Sequence, residues 1–217
     1  MSSALPETST GDLSPSASAE LIAARDPAAL VVGPGIRESD GYGALIGLLL
    51  ESEGAPTVVD GGALNLLAAR EHWWQGSARE AVLTPHPGEF ARLTGAAAGT
   101  GEADRHAGCA AAAARFGQVV VLKGARTIVC APDGRASISP FANAALATAG
   151  TGDVLAGTIG ALLAQAVPAY EAACLGVWLH GRAAERIGAE VGDSGLAASD
   201  LPREIARARR ELATGAA

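Results

Sequence analysis

The sequence predicts an α/β protein whose mostly parallel sheet is covered by helices on both faces. Short β-branched runs alternate with longer Ala/Leu segments of helical spacing, and the runs are apolar enough to be buried from both sides. The 217 residues, 49% hydrophobic and 18% charged, suffice to bury a sizeable core and most simply form one domain.

The strand candidates come in order: "ALVVGPG" at 29–35, "PTVVDG" at 56–61, "AVLTPHPG" at 81–88 and "QVVVLKG" at 118–124. Each run ends in Gly, Pro, Asp or Lys. Between them lie the helical segments "YGALIGLLLES", "ALNLLAAR" and "EADRHAGCAAAAARF". Ligands of open α/β sheets bind outside the C-terminal ends of the strands, which groups Gly33 to Gly35, Asp60, Thr84 to Glu89 and Lys123 on one edge. After Lys123, "RTIVCAPDGRASISP" reads as two short strands around the turn residues Pro132, Asp133 and Gly134. The last third is helical over Gly152 to Ala166, Pro168 to Ile187 and Leu201 to Leu212. Asp200 is placed to cap the last of these, and Pro202 suits its first turn.

Sixteen Lys plus Arg against 23 Asp plus Glu leave a net charge of −7, which argues against nucleic acid or an anionic membrane as partner. The three cysteines, Cys109, Cys130 and Cys174, form no CxxC pair and read as small core residues in a reducing compartment. The first twenty residues lack the basic start and apolar run of a secretory signal, which disfavours secretion, and a flexible segment is one expectation for them. No apolar run approaches the roughly 20 residues that cross a bilayer, so a cytoplasmic protein is expected.

"AGTGDVLAG" within Asn143 to Leu163 carries the densest chemistry. Val154, Leu155, Thr158, Ile159, Leu162 and Leu163 form a core-facing helical stripe. Asp153, Gly157, Gly160 and Ala164 form a second, mostly small stripe that permits close approach. Gly150 and Gly152 free the backbone so that N–H groups at a helix start can point at an anion. Taken alone, the turn leaves Asp153 equally a first-turn acid or a proton acceptor beside a phosphate.

Four motifs in order, "VVGPG", "AVLTPHPGEFARLTG", "VLKGARTIV" and "LATAGTGDVLAG", resemble the ADP-dependent NAD(P)H-hydrate dehydratases, a branch of the ribokinase-like superfamily. The resemblance covers about Ala29 to Gly188. It implies a three-layer α/β/α fold and an enzyme that repairs the S epimer of hydrated NADH or NADPH. The hydrate carries a hydroxyl beside the ring nitrogen; phosphorylation turns it into a leaving group, and the nitrogen lone pair then expels phosphate. A kinase site therefore suffices for a dehydratase. Asp153 is implied as the base, and Lys123, Gly124, Ala125, Arg126, Thr127, Gly150, Thr151 and Gly152 as nucleotide-binding. Gly35 and His86, with Asp153, are implied as substrate-binding. The expected cofactors are ADP or ATP as phosphoryl donor and Mg²⁺, with no metal-ligand cluster visible, and the expected assembly is a homo-oligomer, a tetramer by resemblance.

Other residues carry less. His86 lies between two prolines that stiffen its loop; its bland alternative is a histidine bonded to its own backbone, with Glu89 merely starting a helix. His72 in "EHWWQG" reads as packing or interface, and His106 and His180 as structural. The chain departs from the family pattern in two places. "DGGAL" keeps Asp60 but puts Gly62 where a second acid is usual, and Met1 falls where an upstream strand and Gly-rich segment would still be running. The chain is thus expected to be a single domain, short at its N-terminus. Two other functions stay open on these grounds: a kinase for a small hydroxylated metabolite, and an inactive homologue acting as a binding or assembly subunit.

Overall fold

The computed structural model describes residues 3–192 and 194–215. Its sheet has six strands in the order of the chain: β1 (Leu30–Val32), β2 (Thr57–Val59), β3 (Ala81–Leu83), β4 (Val119–Leu122), β5 (Ile128–Cys130) and β6 (Ala136–Ile138). The first four are parallel, and β5 and β6 run antiparallel as the hairpin expected around Pro132 to Gly134. Asp133 fixes that turn by accepting the Arg135 N–H at 3.0 Å.

This order dictates the layers. Strands laid down side by side in one direction, each joined by a right-handed crossover, put every connecting helix on the same face. Those connections are α2 (Asp40–Glu51), α3 (Gly62–Ala68), α4 (Pro87–Thr94) and α5 (Glu102–Phe116). Their Leu50, Leu64, Phe90, Cys109 and Phe116 form one core with Val59, Leu83, Val120 and Leu122 of the strands. The alternate strand residues Val58, Val82, Val119, Val121 and Val129 point the other way. They are covered mainly by the last third of the chain, through Leu155 and Ile159 of α6 (Thr151–Leu163) and Ala172, Ala173 and Val177 of α7 (Ala169–Val191). The result is the expected α/β/α sandwich. The small stripe of α6 is used at Gly160, where a Cβ would lie 2.4 Å from Val31 Cγ2, so the helix rests directly on β1.

The N-terminal segment carries a helix, α1 (Pro15–Ala23), and its Leu13 is buried against Leu45 and Leu49 of α2. Asp12 anchors it there by accepting hydrogen bonds from the Ser39 hydroxyl and the Gly41 N–H at the start of α2. At the other end, Asp200 does not cap α8 (Leu201–Thr214); its carboxylate turns back to accept the Ala197 N–H at 2.9 Å. Pro202 does sit in the first turn of α8. The "HWW" aromatics are packing, with Trp73 buried and both tryptophan rings against Phe116 at 5.1 and 5.3 Å.

Candidate functional site

The C-terminal ends of β2, β3 and β4 bring three polar side chains together. Asp60 follows β2, Thr84 follows β3 and Lys123 follows β4. Lys123 Nζ lies 2.7 Å from Asp60 Oδ1, and the Thr84 hydroxyl donates to that same oxygen at 2.7 Å. Asp60 and Thr84 are only 2% and 1% exposed. Glu89, buried in the first turn of α4, stands 3.7 Å from the same ammonium. The turn after β1 supports this group from beneath: Gly33 has φ +119°, and a Cβ on it would lie 1.6 Å from the Asp60 carbonyl oxygen.

His86 begins α4. Its Nδ1 accepts the N–H groups of Gly88 and Glu89, while the Glu89 carboxylate accepts the His86 N–H at 2.7 Å, a reciprocal capping box. The loop histidine is thus bonded to its own backbone. With Nδ1 an acceptor, the proton of the neutral ring sits on Nε2, which lies 3.5 Å from Glu89 Oε1.

Opposite these strand ends stands the start of α6. Gly150 takes φ +87°, a left-handed conformation that frees the chain to turn into the helix. Thr151 is spent on structure: its hydroxyl donates to the Leu146 and Thr148 carbonyls. The N–H groups of Gly152 and Asp153 donate to no acceptor among the described residues, as expected of a first turn open to a ligand. Asp153 is exposed, makes no capping bond, and has no hydrogen-bond or ion-pair partner among the described residues. Asp153 stands in the first turn of α6, where the helix dipole favours its negative charge. Gly152 faces the strand-end group, since a Cβ there would lie 3.5 Å from Lys123 Nζ and 3.8 Å from Asp60 Oδ2.

His180, read from sequence as structural, holds this turn in place. It is buried on α7, and its Nε2 donates to the Thr151 carbonyl at 2.9 Å. Burial pushes its pKa down to about 4, outweighing that bond, so the ring is neutral at physiological pH. The loop after Lys123 is held from α5, where Arg105 donates to the Ala125 carbonyl at 2.7 Å. Thr127 closes the loop by donating to the Gly124 carbonyl.

One cavity of about 550 Å³ is walled by Asp60, His86, Glu89, Lys123 to Ala125, Thr127, Gly150 to Asp153 and His180, with Phe141, Leu146 and Val177 as apolar surface. Two expected site residues stand apart. Gly35 lies in the turn after β1 and does not line the cavity. Arg126 points outward, exposed, 3.3 Å from Glu102. Asp60, Thr84 and Glu89 were signalled by the strand-end rule and by the motifs they stand in, without a role assigned to them, and His180 carried no signal in its helical sequence. Among the described residues no group of three His, Cys, Asp or Glu could hold a metal ion, so an octahedral Mg²⁺ fits here only with most of its ligands supplied by phosphates and water.

Sheet order, the terminal hairpin and a glycine-opened helix facing the strand ends define a ribokinase-like α/β protein. A ribokinase-like superfamily protein from Enterococcus faecalis has a similar structure, with TM-score 0.69 and 25% identity over 84% of this chain and 63% of that one. The chain belongs to the NAD(P)H-hydrate dehydratase family, whose model matches residues 1–207. It is similar to the ADP-dependent (S)-NAD(P)H-hydrate dehydratase of Neisseria meningitidis serogroup B, with 46% identity over 87% of this chain, and spans 64% of that protein's length. It is also similar to the ADP/ATP-dependent NAD(P)H-hydrate dehydratase from Bacillus subtilis co-crystallized with ATP/Mg²⁺. There the TM-score is 0.75 and the identity 33%, over 85% of this chain and 64% of that one.

Proposed function

We propose that the protein uses ADP or ATP to dehydrate the S epimer of hydrated NADH and NADPH. The observation that carries this reading is that Asp153, without a hydrogen-bond or ion-pair partner among the described residues, lines one cavity with the Lys123 ammonium and the His86 loop. Such a cavity offers a proton acceptor, a cation and free backbone N–H groups to a phosphoryl group in transit. The names of its relatives point to the same chemistry.

In this reading the nucleotide lies along Lys123 to Thr127, with its phosphates against Lys123 and the free N–H groups of Gly152 and Asp153 in the Gly150–Asp153 turn. Arg126 reaches it only from the rim. Asp153 accepts the proton of the ring hydroxyl as that oxygen attacks the terminal phosphorus, giving a phosphate ester and AMP from ADP, or ADP from ATP. The ring nitrogen's lone pair then expels phosphate, and loss of a proton from the neighbouring carbon restores the double bond. His86 would offer Nε2–H to the substrate from the far wall, and Gly35 would shape the substrate's path outside the cavity. Mg²⁺, bound with the nucleotide, would neutralise phosphate charge. The protein would act in the cytoplasm as a homo-oligomer; no helix among the described residues is long and apolar enough to cross a membrane.

The test is recovery of dihydronicotinamide absorbance when purified protein is incubated with hydrated NADH, Mg²⁺ and ADP or ATP. No recovery with either nucleotide overturns the reading, and a stable phosphorylated product from a small hydroxylated metabolite would replace it with a kinase. Asp153→Asn is expected to abolish turnover while changing nucleotide affinity less than threefold.

A further inference from the structure

We infer that Asp60, locked by Thr84, is a positioning residue that aims the Lys123 ammonium at the nucleotide's phosphates. The inference rests on the nucleotide-dependent reading above. Lys123 sits on a flexible four-carbon stem and would sample many rotamers if unrestrained. Here its Nζ is drawn to Asp60 Oδ1 at 2.7 Å, with Glu89 3.7 Å away on another side. Asp60 cannot follow the lysine into solvent, because it is almost wholly buried and the same Oδ1 accepts the Thr84 hydroxyl. The lysine side chain is 19% exposed, so part of the ammonium remains open to the cavity.

Gly152 at the α6 start stands beside this ammonium, since a Cβ on it would lie 3.5 Å from Nζ. In the inferred arrangement, with no side chain there, the remaining N–H groups of Lys123 and the free N–H groups of Gly152 and Asp153 share one phosphate. That phosphate meets a cation already held in place, which spares the cost of ordering the lysine when the ligand arrives. Three consecutive strand ends thus supply the cation, its anchor and the lock on the anchor. Asp60 itself touches no phosphate in this arrangement.

The experiment compares ADP and adenosine affinities by calorimetry, so that the phosphate-dependent part is read separately from the adenosine part. Lys123→Met and Asp60→Ala are each expected to reduce the preference for ADP over adenosine at least tenfold, with adenosine affinity unchanged within twofold. The double variant should lose no more than twofold beyond either single one, because Asp60 acts only through Lys123. Asp60→Asn retains an acceptor for both partners and guards against misfolding; it should keep more of the preference than Asp60→Ala. Thr84→Val should lower the preference and Thr84→Ser restore it. Multiplicative losses in the double variant, or an Asp60→Ala protein that keeps full preference, overturn the inference. Wild-type protein that shows the coupled preference but restores no NADH sinks the dehydratase reading and leaves the positioning role standing. Restoration of NADH with uncoupled losses does the reverse.

Discussion

Adding one methyl group at Gly152 separates the stability of α6 from the use of its first turn. A Cβ on Gly152 meets nothing closer than Lys123 Nζ at 3.5 Å and Asp60 Oδ2 at 3.8 Å, which is ordinary contact. Gly152→Ala is therefore free of steric penalty in the folded protein. Replacing glycine by alanine within a helix also gains roughly 0.5–1 kcal/mol from a less disordered unfolded chain. The midpoint of urea unfolding should rise slightly or stay constant. In the inferred arrangement the same methyl intrudes where the Lys123 ammonium and the first-turn N–H groups share a phosphate, so the phosphate must retreat from at least one of them. Losing one charge-assisted hydrogen bond costs about 1.5–3 kcal/mol, a ten- to hundredfold weaker ADP affinity with adenosine affinity unchanged. Calorimetry with both ligands and urea titration of the same preparation read the two halves. A variant that binds ADP within twofold of wild type refutes the placement of phosphate between α6 and Lys123. A large fall in stability refutes the steric reasoning.

Gly33→Ala is the opposite case: a Cβ 1.6 Å from the Asp60 carbonyl, at φ +119°, forces the strand ends apart. A loss of about 3 kcal/mol or more in urea unfolding is expected, and a loss under about 1 kcal/mol contradicts it. His180 gives a pH signature. The folded protein resists its protonation down to about 4 while the unfolded chain takes the proton near 6.5, so its stability contribution is complete above pH 6.5 and is lost as pH falls toward 4. Over that window the loss amounts to about 3 kcal/mol by linkage, and His180→Gln should flatten the profile of unfolding midpoint against pH. Arg79 is buried, and its guanidinium donates to the Ser52, Glu53 and Ala55 carbonyls after the end of α2. Arg79→Met leaves these without their donors and should cost about 2–4 kcal/mol by thermal or urea unfolding, whereas an unchanged midpoint would show that water replaces it.

Much of the fold was legible because local patterns recur at the right intervals. Runs of three or four buried, largely apolar residues, as in β2, β3 and β4, mark strands covered on both faces, and helical segments between them force parallel pairing. Gly117 and Gly134 end α5 and turn the β5–β6 hairpin where the sequence suggested. The start of α6 at Thr151 falls within one residue of its expected position because glycine and an acid signal it locally. The two ends of the chain were read less well. Leu13 and Asp12 are isolated signals whose partners on α2 lie 27 or more residues away, and Asp200 found a backbone N–H three residues back before it could serve α8.

By itself the sequence determined the strand segments, the helix start beside Gly150 and the set of polar residues standing at strand ends, since each follows from neighbours within a few positions. Only the tertiary structure decided which of those residues work together. Lys123 and Asp60 are 63 residues apart and meet because β3, bearing Thr84, lies between their strands in the sheet. Arg126, three residues beyond Lys123, turns out of the cavity with φ +53°, and Gly35 falls outside it, although both belong to the same sequence motifs as the residues inside. His180 enters the site because α7 crosses behind α6, a packing that its own helical pattern does not encode. Local pattern fixes what a segment becomes, whereas the direction a side chain faces at a strand end depends on strand order and helix placement.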